Sequence, residues 1–154
     1  MGNFILDEWL WADLCGENGP EKQLESEKFL AAIYEICDRI IHVKSSQFEA
    51  KALKFLRHSD SRRRKIAKFY AANFLYNFKK SELLDQEQCK PLPDHLSNVI
   101  DLDDTYIVQA HLALPDTIII TTDTQLMYDC TQNSIPCKHR DEFVHNYLSQ
   151  FRGT

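Results

Sequence analysis

Apolar and polar positions along this 154-residue chain follow two periods that alternate. "NFIL" (3–6), "IIHV" (40–43) and "DTIIITTD" (116–123) are short apolar runs of the kind that strands buried on both faces require. Between them the apolar residues recur at helical spacing. Leu24, Phe29, Ala32, Ile33 and Ile36 predict an amphipathic helix over about 21–39, after a loop marked by the breakers in "CGENGPEK" (15–22). A serine N-cap opens a second helix in "SSQFEAKALKFL" (45–56), with Phe48, Ala52, Phe55 and Leu56 inward. "SRRRKIAKFYAANFLYNF" (61–78) predicts a third, with Ile66, Phe69, Tyr70, Asn73 and Phe74 as its core stripe. After the unpatterned "DQEQCKPLPDH" (85–95), a helix starts at Asp103 or Asp104 and turns Ile107, Ala110 and His111 or Leu114 inward. "TQLMYDCTQN" (124–133) and "RDEFVHNYLSQF" (140–151) complete the helices, with "IPC" (135–137) as a short strand between them. Such alternation predicts an α/β class in which helices cover a short, mainly parallel sheet.

Composition adds limits. At 44% hydrophobic and 27% charged, residues 1–154 suit one domain with a real core. No apolar run approaches the roughly 20 residues that span a bilayer. "MGNFILDEWLW" has no basic stretch before its apolar residues, and the five scattered cysteines suit reduced thiols, so a cytoplasmic location is expected. Cys130, Cys137, His139 and His145 lie close in sequence but lack zinc-site spacing, so Cys137 is expected as a buried strand thiol and both histidines at the surface.

The net charge of −5 conceals an asymmetry: 44–80 holds eleven basic residues against only Glu49 and Asp60. Lys51, Lys54, Arg57, Arg62, Arg63, Arg64, Lys65 and Lys68 can therefore form a cationic face for a polyanion, beside a strongly acidic remainder.

That remainder carries the chemistry. Ligands of parallel sheets bind beyond the carboxyl ends of strands. Asp7 ends the first strand, Asp123 ends the buried strand, Asp104 opens the helix leading to it, and Glu49 sits just past the second strand. Four carboxylates meeting there would repel one another unless a divalent cation joined them, and hard oxygen ligands select Mg²⁺ or Mn²⁺.

"FILDEWLW" with Asp7, "IIHVKSSQFEAKAL" with Glu49, "DDTYIVQAHLA" with Asp104, "IIITTDTQL" with Thr121 and Asp123, and the closing "IPCKHRDEFVHNYL" together resemble the PIN-domain nucleases over nearly the whole chain. The resemblance implies a three-layer α/β/α fold and Mg²⁺- or Mn²⁺-dependent cleavage of RNA phosphodiesters. It implies that Asp7, Glu49, Asp104 and Asp123 bind metal or a metal-bound water, with Asp103 as an added or substitute ligand and Thr121 positioning the last carboxylate. Toxin-type members are of similar size, which implies an inhibitory protein partner, and many such domains pair as homodimers. Two departures are visible: Trp9 stands where many relatives carry Asn, and Glu35 competes with Glu49 for the fourth position.

Two alternatives have their own residues. "VIDLDDTY" resembles the first motif of haloacid-dehalogenase-type phosphatases, with Asp101 as nucleophile and Asp103 as acid/base; a strand ending at Asp101 would support it, and helix from Asp103 would exclude it. A PIN-like fold without turnover, serving as an RNA-binding or interaction module, would be consistent with Trp9.

Overall fold

A computed structural model describes residues 1–151. Five strands form one sheet: β1 (Asn3–Leu6), β2 (Arg39–Val43), β3 (Ser81–Leu84), β4 (Ile118–Thr121) and β5 (Cys137–His139). They lie in the order β3-β2-β1-β4-β5, and every pairing is parallel. The chain builds outward from β1 to β3, then crosses to the other side of β1 for β4. β1 and β4 therefore flank the switch point, where neighbouring crossovers diverge and leave a crevice.

Alternate residues of the central strands feed two cores. Phe4, Leu6, Ile40 and Ile120 face a core built with α1 (Trp9–Leu14), α2 (Pro20–Glu35), α3 (Gln47–Leu56), α4 (Ser61–Tyr70) and the last helix, Arg140–Phe151. Ile5, Ile41, Val43 and Ile119 face the other, with α5 (Asp94–Ser97), α6 (Thr105–Ala113) and α7 (Thr124–Gln132). Burial on both faces explains the uninterrupted apolar runs, and the result is a three-layer α/β/α sandwich.

Several expectations are corrected in detail. The helix expected over 21–39 spans Pro20–Glu35, because Ile36 is already extended and the Lys80 ammonium bonds the carbonyls of Ile33 and Ile36. A cation there suits the negative end of the helix dipole. α1 forms where the pattern assigned no element. β3 was missed because "SELL" buries only its ends, as an edge strand can. The short strand after α7 is Cys137–His139 rather than 135–137, and Cys137 is only partly buried, against the buried Cys130.

The core stripe of α4 is Ala67, Tyr70, Ala71, Phe74 and Leu75, one residue along from the expected set, and Phe69 is 55% exposed. Ala67 and Ala71 are buried, and between them Tyr70 reaches the sheet, where its Oη and Ser81 Oγ sit 2.7 and 2.6 Å from the two ring nitrogens of buried His42. Burial depresses the His42 pKa to about 3, so the ring is neutral at physiological pH. The helix ends in a π-helical turn, Ala71–Leu75, with the Asn73 side chain donating to Phe69 O.

The last helix, α8 (Arg140–Phe151), begins at its predicted first residue, and that residue locks three helices together. Arg140 is 1% exposed. Its Nε donates to Asp13 Oδ2 at 2.8 Å, and Nη1 donates to Glu25 at 2.7 Å. Nη2 donates to Lys22 O and Ser26 Oγ, both at 3.1 Å. The guanidinium also lies 5.6 Å from the Trp9 ring centroid. Removing it would strand the equally buried Asp13 carboxylate, and breaking such a pair costs about 3–5 kcal/mol. Arg140→Met is therefore expected to lower the urea unfolding free energy by about that much, whereas a loss below about 1 kcal/mol would show that Asp13 finds other partners.

Candidate functional site

The carboxyl ends of β1 and β4 open into a cavity of about 260 Å³, lined by Asp7, Glu8, Trp9, Gln47, Asp103, Asp104, Tyr106, Ile107, Thr122 and Asp123. Three of the four expected acids meet there. Asp7 follows β1, Asp123 follows β4, and Asp104 sits at the N-terminus of α6, where a short 3₁₀ turn, Leu102–Asp104, delivers it. Asp103 is present too, accepting a hydrogen bond from Gln47 Nε2 at 3.0 Å. Cavities of about 510 and 630 Å³ elsewhere carry no carboxylate, and those of about 340 and 320 Å³ carry one each, Glu35 and Glu27.

Asp7 is held rigidly. Its Oδ1 accepts from Trp9 N at 3.0 Å, and its Oδ2 accepts from the Thr121 hydroxyl. Thr121, fully buried, in turn accepts from Asp123 N at 3.0 Å. It thus joins two acids, a wider role than positioning the last carboxylate alone. Asp123 caps α7, its Oδ1 accepting from Gln125 N and Leu126 N at 2.9 and 3.1 Å. A carboxylate at that end of a helix is favoured by the dipole. Trp9 reinforces the frame by donating from Nε1 to Ile120 O at 2.8 Å, across the β1–β4 seam.

Asp104 has no such support. Its side chain accepts no hydrogen bond among the described residues, and its pKa is pushed up to about 6 by burial and then by Asp123, Asp7, Asp101 and Asp103. Burial raises Asp7 as well, against the hydrogen bonds from Thr121 and Trp9. No lysine, arginine or histidine among the described residues lines the cavity; Lys51 pairs with one of its acids, Glu8, at 3.4 Å.

Glu49 does not line this cavity. It serves the cap of α3 instead: its N–H donates to the Oγ of the N-cap Ser46 at 3.3 Å, and its carboxylate accepts from Ser45 N, one residue before the cap, at 3.2 Å. Glu35 lies with Lys28, Leu148 and Phe151 in another groove. Glu8 and Gln47 occupy the place expected for a fourth acid. Their adjacency, Glu8 beside Asp7 and Gln47 right after the serine N-cap, was visible in sequence without being distinctive. Asp101 is exposed and outside the cavity, its carbonyl accepting from Asp104 N and Thr105 Oγ1 at 3.0 and 3.2 Å. No strand among the described residues ends at it, and helical structure begins at Leu102, so Asp101 does not stand at a strand end as the phosphatase motif requires.

The basic residues divide into two groups. Arg64 ties the α3–α4 loop, donating to His58 O and Ser59 O, both at 2.7 Å. Arg63 pairs with Glu17 at 3.4 Å and covers Phe55, while Lys65 borders an apolar groove with Leu30 and Phe69. Arg62 and Lys68 are solvated. Lys51, Lys54 and Arg57 instead follow α3 away from Gln47, and the last two border an open cleft with His58.

A hard divalent cation suits this donor set, because the clustered carboxyl oxygens have no opposing charge within the cavity. As they stand, no three His, Cys, Asp or Glu side chains among the described residues converge closely enough to hold an ion, around Cys130 and Cys137 included. No helix among the described residues is long and apolar enough to cross a membrane. Comparison with protein-family models, curated proteins and solved structures gives no match.

The raised Asp104 carboxyl has a defined pH signature. Its folded value of about 6 exceeds the ordinary 3.8, so its charge destabilises the fold above pH 6 and has no effect well below 3.8. Asp104→Asn is expected to raise the melting temperature in EDTA at pH 7.5 and to leave it unchanged near pH 3.5. A stabilisation of equal size at both pH values would assign the effect to something other than charge.

Proposed function

We propose that this protein is a Mg²⁺- or Mn²⁺-dependent endoribonuclease of the PIN-domain type. The observation that carries the reading is the meeting of Asp7, Asp104 and Asp123 in one cavity at the switch point, with no cationic side chain among the described residues lining it. Asp7, Asp104 and Asp123 would hold the cation, with Asp103 and Glu8 at its margin. When bound, the metal supplies charge stabilisation for the attacked phosphodiester and lowers the pKa of a water.

The protein's own groups do the rest. Thr121 and the Trp9 amide keep the Asp7 oxygens directed, and the α7 N-terminus fixes Asp123. Asp104 must lose its proton to hold the cation, so metal binding and proton release would be coupled there. Gln47 brings a neutral donor to the edge of the acidic cavity, where a lysine would pair with the carboxylates instead. Lys54 and Arg57 offer a track for the sugar–phosphate backbone along α3, leading away from the acids.

Cleavage of single-stranded and structured RNA with Mn²⁺ tests the reading. Asp104→Asn is expected to reduce kcat by about 100-fold or more, the scale for loss of a group stabilising transition-state charge. Equal cleavage by the variant, or none by the wild type, would overturn it. A turnover-free RNA-binding module is favoured by one observation, that Asp7 and Asp123 are already engaged by backbone and hydroxyl donors. It would show RNA binding insensitive to Mg²⁺.

The α3 track makes a separate prediction. Lys54→Ala/Arg57→Ala is expected to weaken RNA binding and to flatten its salt dependence by about 0.7 in slope per lost phosphate contact. Arg64→Ala is expected to act mainly on stability, because its guanidinium holds the α3–α4 loop. The opposite pattern in salt-titrated binding would move the backbone path to α4.

A further inference from the structure

Tyr106 lines the acidic cavity, and its hydroxyl oxygen is buried with no hydrogen-bond partner. An unpaired buried hydroxyl is unfavourable, so its persistence needs an explanation. The partly buried ring packs against both cores, which restrains it from turning toward water. A partner must therefore come to it. Helical side chains lean toward the N-terminus, so Tyr106 reaches back over the turn that carries Asp104.

The charges acting on the hydroxyl are those of Glu8, Asp7 and Asp104. Two of these acids are already engaged. Asp7 accepts at both oxygens, and Glu8 pairs with Lys51. The Asp104 carboxylate has no hydrogen-bond donor among the described residues, so an unpaired donor and an unpaired acceptor line the same cavity.

We propose that Tyr106 is a positioning residue of the metal site: its hydroxyl donates to one Asp104 oxygen when the other is drawn onto a divalent cation. This rests on the metal-dependent reading above and extends it, because it explains how acids that do not converge as they stand can be locked once an ion arrives. Ligating carboxylates are oriented by such outer hydrogen bonds, and losing one typically weakens metal affinity 10–100-fold. A residue that only packs the cavity would behave differently, since its removal would weaken the empty protein first.

Calorimetric titration of the metal-free protein with Mn²⁺, together with thermal unfolding in EDTA, separates these cases. Tyr106→Phe is expected to bind Mn²⁺ about 10–100-fold more weakly than wild type while melting no lower in EDTA, because only a hydroxyl without a partner is removed. Mn²⁺ binding equal to wild type, or a lower melting temperature in EDTA, would overturn the assignment of Tyr106 while leaving the metal reading intact. A wild-type titration without binding would overturn both. Asp104→Asn, expected to abolish or strongly weaken binding, identifies the site being titrated.

Discussion

Like charges gathered at the switch point constrain everything around them. Carboxylates that share one cavity resist ionisation unless donors or a cation offset their charge. The fold supplies donors selectively. Asp7 receives the Trp9 amide and the Thr121 hydroxyl, and Asp123 receives the first amides of α7. Asp104 receives none among the described residues, and burial together with the neighbouring acids pushes its carboxyl up to about 6. Two acids are thus fixed in place and a third is left available for a ligand. Rigidity at two positions and an unmet demand for positive charge at a third would suit the cation of the proposed nuclease.

Positive charge is distributed just as selectively. Arg140, Lys80 and Arg64 are consumed by structure: one inside a helix junction, one at a helix C-terminus, one in a loop. Lys51 meets Glu8, one of the cavity's acids. What remains on α3 is a short basic track beside an acidic cavity, with Gln47 between them. Opposite charges kept apart by a neutral residue can both contact one polyanion, one set through a cation and the other directly. Had Lys or Arg stood at Gln47, an ion pair would neutralise part of the cavity's charge.

The element pattern was legible where periodicity was strong. β1, β2, β4, α3, α7 and α8 stand where the apolar spacing placed them. Misreadings arose where two registers were equally apolar, or where an edge element needed little burial. Along 61–78 both stripes contain apolar residues, and the one that faces inward includes Ala67 and Ala71. "SELL" became a strand because β2 presented an open edge to pair with, a condition no local pattern records.

Among the site residues, Asp7, Asp104 and Asp123 could be read from sequence because each closes or opens a strongly patterned element, and strand ends in a parallel sheet share one edge. Glu49 could not be resolved that way, since a glutamate three residues after a serine can equally serve a helix cap, and the capping geometry prevailed. Tyr106 and Gln47 carried no local mark of function. By itself, then, the order of residues determined the layers, the parallel sheet and the three acids at its carboxyl edge, because period and end position are local properties. Only the tertiary structure decided which side chains complete the cavity and which bases face solvent, because convergence depends on strand order and packing between segments far apart in the chain.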